Sequence, residues 1–408
     1  MIYNMSRYKS YLEFIRYSLN PKDEFLKDVA KMDWEGFLQF ANEQGILGVA
    51  FVGIQRLGEH GVKPPLDVLM QWIASASLIE QQNKAVNKAA TELFKELKND
   101  GLRGCILKGQ GNGLMYPNVY SRTPGDIDVW VKRADGRGKR GDGRGLKADG
   151  RGMKAEGRGL KADGRCKKGD VRDIIKYVKE RNPNGKVCYH HIDGGKIGGV
   201  EVEVHYRPSF MNNPIHNYRL QKWYKMMAEG GRLMEEVELP EGVGSIPVPT
   251  VEFNVVYQLV HVFRHLLQEG IGLRQIIDYF YVLKSNTNHM DDTNIIVLLK
   301  HLGLAKIAGA MMWLLSEVFG LEEVYLIAPK NERLGKVLLA EILKGGNFGQ
   351  YDIDNMKVNS QLGKNWQRIR RDFRMMRYFP SECIWEPVFR VYHFFWRKTY
   401  GSWFTVHG

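Results

Sequence analysis

The stretch LKGQGNGLMYPNVYSRTPGDIDVWV, residues 107–131, places two aspartates, Asp126 and Asp128, at the head of a short apolar strand. Residues two apart on a strand point to the same face, so both carboxylates converge while Ile127 and Val129 pack behind them. Hard divalent cations that bridge phosphates are held by carboxylate oxygens, and a converging pair supplies them. A lone Asp-x-Asp is also common as two solvated acids, so its surroundings decide its meaning. Gly125 gives close backbone access in front of the pair, and Val129-Trp130-Val131 has the apolarity of a central strand. Upstream, Leu107-Lys108-Gly109 ends a candidate strand and opens the glycine-rich GQGNGLMY. That turn is expected to present backbone N–H groups and the Lys108 ammonium to a triphosphate.

Downstream, VEVEVHYR at 200–207 alternates strictly, setting Glu201, Glu203 and His205 on one face and Val200, Val202 and Val204 on the other. A third carboxylate is thereby available. Glu201 and Glu203 are about 7 Å apart on that face, so only one can share an ion with the aspartates. Glu203 lies nearer the middle of the alternation, whereas Glu201 follows Gly198-Gly199 at the strand's entrance, where an acid is readily solvated.

Outward from this centre the hydrophobic period changes. Between Ser10 and Asn99 apolar residues recur at helical spacing, and Pro64-Pro65 open a long helix that should stop at Gly101. Residues 104–108, 126–131 and 199–205 predict strands of one small sheet, with a helix over 171–181 between the last two. After Pro249 helices are expected over 253–268, 273–284, 293–302, 306–319 and 334–343. The expected organisation is an α+β chain: a helical unit at 1–100, a small mixed-sheet core at 101–248, a helical unit at 249–345 and a basic, aromatic tail at 346–408.

The chain has 408 residues, 44% hydrophobic and 26% charged, as an ordinary globular protein does. Its net charge of +13 is unevenly placed. Residues 132–169 carry fourteen basic and five acidic residues, hence +9 of that total, in a seven-residue repeat with Arg137, Arg144, Arg151, Arg158 and Arg165 in register. Glycine-rich units with at most one large apolar residue cannot offset ordering entropy, so 133–169 is expected to be a flexible insertion. The charge is therefore weak support for nucleic-acid binding. Cys105, Cys166, Cys188 and Cys383 show no metal or disulfide spacing. No apolar run long enough to span a bilayer and no secretory leader is legible, and the expected location is cytoplasmic.

The run 107–131 followed by VEVHYR resembles the uncharacterised nucleotidyltransferase family of the polymerase-β superfamily. Lys108, Gly109, Tyr116, Pro117, Arg122, Gly125, Asp126 and Asp128 match its pattern, and Glu203 falls on its acidic position two before a histidine. His261, His265, Arg274 and Asp278, within LVHVFRHLLQEGIGLRQIIDYFYVLK, fall on positions associated with these proteins. The resemblance implies a nucleotidyltransferase core with Mg²⁺ or Mn²⁺ on Asp126, Asp128 and Glu203. Lys108, Gly109, Arg122 and Gly125 would meet the nucleotide, and His205, His261, His265, Arg274 and Asp278 would stand on the substrate side. The implied reaction moves a nucleoside monophosphate from an NTP to a hydroxyl acceptor and releases pyrophosphate. The acceptor's class (small molecule, sugar, protein or RNA) is open. The competing expectation is a non-catalytic nucleotide-binding or scaffold protein that keeps the fold.

His261, His265 and Glu269 are spaced to share a helix face, but without a His-Glu-x-x-His pattern the simpler expectation is a face packed over the nucleotide site. His190 and His191 adjoin Cys188, and adjacent strand residues should diverge. Arg368, Arg370, Arg371, Arg374 and Arg377 beside IWEPVFRVYHFFW predict either a solvated helix face or a peripheral contact with headgroups or an acidic partner.

Overall fold

Val129 and Val131 are fully buried on one face of a strand whose other face carries Asp128 and Trp130, and this alternation organises the core. In the computed structural model, residues 8–23, 29, 32–133, 168–231, 233–286, 292–347 and 361–402 are described. The repeat, expected to be flexible, lies almost wholly outside them. The N-terminal helices are α1 (Lys9–Leu19), α2 (Trp34–Glu43), α3 (Leu47–Glu59) and α4 (Leu66–Asn99). α4 follows Pro65 and ends before Gly101, whose φ of 68° only glycine adopts without strain.

The sheet contains β1 (Leu102–Ile106), β2 (Ile127–Arg133), β3 (His191–Ile197) and β4 (Val200–His205) in the order β1-β2-β4-β3. β1 pairs antiparallel with β2, β2 parallel with β4, and β4 antiparallel with β3, giving a mixed sheet. The one-turn α5 (Gln110–Gly113) follows β1, and α6 (Lys168–Arg181) is the crossover between β2 and β3. Ile127, Val129, Val131, Val202 and Val204 pack against Val171, Ile174, Ile175 and Val178 of α6 and against the C-terminal half of α4. Each such side chain contributes about 1.5–3 kcal/mol on burial. On the opposite face Trp130 joins the larger helical core, its ring 5.9 Å from Phe253.

α7 (Pro214–Glu229) leads to the hairpin β5 (Met234–Glu238) and β6 (Ser245–Pro249), with β6 lying against β1. The helical remainder is α8 (Val251–Gln268), α9 (Leu273–Lys284), α10 (Asp292–His301), α11 (Ala305–Trp313), α12 (Glu332–Gly345), α13 (Gln361–Met376) and α14 (Pro380–Ser402). The fold class is as expected, α+β with a small mixed sheet among helices. Three local differences stand out. β3 and the β5–β6 hairpin are additional, because β3 contains Gly194-Gly195 and β6 contains Pro247 and Pro249, residues that signal a connection. The helix expected over 306–319 changes to a π turn at Leu314–Val318. Finally, the turn after Lys108 is not a long glycine cradle. A Cβ on Gly111 would meet Val248 Cγ1 at 2.8 Å, so that glycine permits close packing.

A candidate nucleotidyl-transfer centre

Parallel pairing of β2 with β4 sets Asp128 directly opposite Glu203, and strand alternation brings Asp126 to the same side. Glu201 falls two residues earlier, with its side chain 73% exposed and 3.4 Å from Lys196. Register therefore places Glu203, not Glu201, beside the aspartates. The turn before them is tied down by a hydrogen bond from Leu107 N–H to Asp128 C=O of 2.8 Å, and Gly109 takes a φ of 78°. This directs Lys108 inward: its Nζ lies 2.8 Å from Asp128 Oδ2 and 3.6 Å from Asp126 Oδ1. Lys108 thus neutralises the aspartates in this arrangement.

His205 completes the cluster. Its Nε2 is 3.0 Å from Asp128 Oδ1 and 3.4 Å from Glu203 Oε2. Burial disfavours an imidazolium there, but hydrogen bonds to Asp128 and then Glu203 outweigh it and lift His205 to about 9. Burial likewise pushes Asp128 up, yet Lys108 and His205 hold its carboxyl far below the usual range. Glu203 is also lowered, burial being outweighed by the His205 hydrogen bond. Asp126 is raised, chiefly by the negative charge of Asp128.

Three carboxylates that repel one another strongly enough to raise one of them, with Asp126 and Glu203 about a third exposed, fit a divalent cation. Asp128, Glu203 and His205 bring ligand atoms within 4.8 Å of one another, as do His191, Asp193 and Glu203, and so do His190, His191 and His205. The histidine pair expected to diverge converges instead. His190 lies in the bend before β3, where strand alternation does not operate, and its Nε2 is 3.1 Å from His191 Nδ1.

Arg122 and Asp278 form a buried pair that lines a small pocket with Lys108, Gly125 and Asp126. Arg122 Nε and Nη2 donate to Asp278 Oδ1 and Oδ2 at 2.8 Å each, Nη1 donates to Thr123 C=O, and Tyr116 O–H donates to Asp278 Oδ1 at 2.7 Å. Through these bonds Arg122 anchors the loop before the aspartates. Asp278 is correspondingly the partner of Arg122 and Tyr116. The guanidinium at the carboxylates is Arg274, which donates from Nη1 to Thr123 and Pro124 C=O and lies 3.6 Å from where a Gly125 Cβ would be.

A cleft of about 610 Å³ opens over the carboxylates. Lys108, Gly125, His261, His265 and Arg274 line it. His261 packs 4.4 Å from His265, and His265 Nδ1 lies 3.3 Å from Glu269. These histidines face the cleft one turn apart on α8. The far wall is Arg368 of α13 and Glu386, Phe389, Arg390 and His393 of α14, with Arg264 between. The sequence left these residues outside the centre. Their signal was available only as the inner apolar stripe of α14, Phe389 and Trp396, which packs on Tyr189.

A solved structure described as an antigenic nucleotidyltransferase-like protein from Paracoccidioides brasiliensis covers 62% of this chain and 96% of its own length, at 10% identity and a TM-score of 0.33. No curated protein matches the chain. The model of the family described as "Uncharacterised nucleotidyltransferase" matches residues 30–320. That span holds both acidic strands, the Lys108 turn and the α8–α9 wall, so the chain belongs to the uncharacterised nucleotidyltransferase family.

Proposed function

We propose that the chain is a metal-dependent nucleotidyltransferase of the polymerase-β type, moving a nucleoside monophosphate from an NTP to a hydroxyl acceptor. The observation that carries this proposal is the opposition of Asp128 and Glu203 across parallel strands, with Asp126 beside them at the mouth of the cleft. Family membership supports transferase activity in general. Asp126, Asp128 and Glu203 would hold Mg²⁺ or Mn²⁺, which when bound offsets phosphate charge and favours ionisation of the acceptor hydroxyl.

The acceptor oxygen bonds to the α-phosphorus, the α–β phosphoanhydride P–O bond breaks, and pyrophosphate leaves with that electron pair. The acceptor's proton passes to a cleft carboxylate. Arg274 stands beside Asp126, where it meets phosphate oxygens, and Gly125 lets the nucleotide approach the backbone. Lys108 swings from Asp128 toward the phosphates as negative charge arrives. His261 and His265 orient the bound groups from α8. A location in the cytoplasm accords with this substrate. No helix among the described residues is long and apolar enough to cross a membrane.

One observation favours the non-catalytic alternative: Lys108 and His205 already neutralise Asp128 without an added ion. Incubation with each α-labelled NTP, Mg²⁺ or Mn²⁺ and a cell extract separates the two. Transfer of label to an extract component with pyrophosphate release supports the enzyme. NTP binding without either supports the scaffold.

A further inference from the structure

Glu203 Oε2 lies 3.3 Å from His191 Nδ1 and 3.4 Å from His205 Nε2, and His205 Nε2 lies 3.0 Å from Asp128 Oδ1. Ligands bonded at about 2.0–2.1 Å in a tetrahedron stand about 3.3 Å apart, so each of these three separations matches one edge of such a site, and Asp128, Glu203 and His205 bring ligand atoms within 4.8 Å of one another. His190 is left out of the set, because its Nε2 already accepts from Arg264 Nη1 at 2.6 Å. Lys108 Nζ, 2.8 Å from Asp128 Oδ2, must give way for an ion to enter. We propose that His191, His205, Glu203 and Asp128 form an imidazole–carboxylate site for a divalent transition ion of the manganese-to-zinc series. Imidazole nitrogen suits these ions, whereas Mg²⁺ prefers oxygen throughout. The inference shares Asp128 and Glu203 with the transfer centre and rests on that placement, but not on turnover.

Pulsed electron paramagnetic resonance of Mn²⁺ added to chelator-stripped full-length protein tests it, since directly bound imidazole nitrogen modulates the electron spin echo. Wild type should show coupling to two nitrogens and His191→Ala to one, while Asp126→Asn keeps both. Zinc affinity should fall at least about tenfold in His191→Ala and likewise in His191→Gln, with the chelated variants melting as wild type does. Mn²⁺ bound without nitrogen coupling overturns this site and leaves the transfer proposal standing. No Mn²⁺ or Mg²⁺ binding overturns both.

An independent feature lies on the outer side of α14. Ile384, Val388, Val391, Tyr392 and Phe395 form one helical stripe, each 52–61% exposed. The charged residues exposed nearby on α13 and α14 among the described residues are Arg368, Arg370, Arg377, Arg397 and Lys398, while Asp372, Glu382 and Glu386 are buried. An apolar stripe on a helix whose exposed charges among the described residues, Arg397 and Lys398, are all cationic complements an anionic lipid surface, and we infer that α14 lies on one. Co-sedimentation with phosphatidylcholine vesicles, with and without phosphatidylglycerol, tests this. Binding should require phosphatidylglycerol, weaken with salt and fall at least about tenfold in Val388→Glu/Val391→Glu. Equal binding by the variant overturns the inference, as does a dimer of wild type that the same variant makes monomeric.

Discussion

Asp278 accepts three hydrogen bonds at 5% side-chain exposure, and its loss strands the Arg122 guanidinium in the interior. Asp278→Ala should cost about 3–5 kcal/mol by chemical denaturation, the cost of leaving a buried charge unpaired. Removing Arg122 as well should restore part of it. Burial pushes the Asp278 carboxyl up, but Arg122 outweighs this and holds it below the ordinary range. A depressed carboxyl contributes stability above its unfolded value of about 3.9 that is lost as pH falls further. The melting gap between wild type and Asp278→Ala should therefore narrow from pH 5 toward pH 2. A constant gap would mean that charge plays no part. Arg122 and Asp278 were each legible as site-associated residues, but not as partners. They are 156 residues apart, and no local period connects them.

At the level of the strands, alternation was enough to find Asp126, Asp128, Glu203 and His205, because period two fixes which residues share a face. Choosing between Glu201 and Glu203 also needed the register, which the β2–β4 ladder supplies. Glu203→Gln should lower any transferase rate at least about a hundredfold, and Glu201→Gln far less, in one turnover assay. The reverse ranking would move the third carboxylate to Glu201. Alternation failed at His190, which precedes β3, so the histidine cluster was hidden by a bend that spacing does not reveal. β1 carries a stricter constraint: a Cβ on Gly104 would stand 2.3 Å from Trp130 C=O on β2. Gly104→Ala should destabilise the protein by about 1–3 kcal/mol through the shift forced on that pair. A thermal melt unchanged from wild type would show that the strands yield freely.

Across the whole molecule, the tail that the sequence set apart from the core supplies one wall of the cleft. Phe389 of α14 stacks 4.7 Å from Phe210, which follows β4, and Arg390 and Arg368 face the same space. Contacts over that separation leave no trace in local hydrophobic patterning, whereas the helical units, long α4 and the acidic strands are local and were legible. The strong positive charge of the chain also proves local, since most of it belongs to 132–169. The central claim concerns the carboxylates beneath this cleft, and calorimetry tests it most directly. Titration of each NTP into wild type with Mg²⁺ should show binding that chelation abolishes. Asp126→Asn/Asp128→Asn should still melt cooperatively, at a lower temperature because Lys108 and His205 lose a charged partner, and should lose that binding. Magnesium-dependent NTP binding unchanged in the double variant would contradict the account.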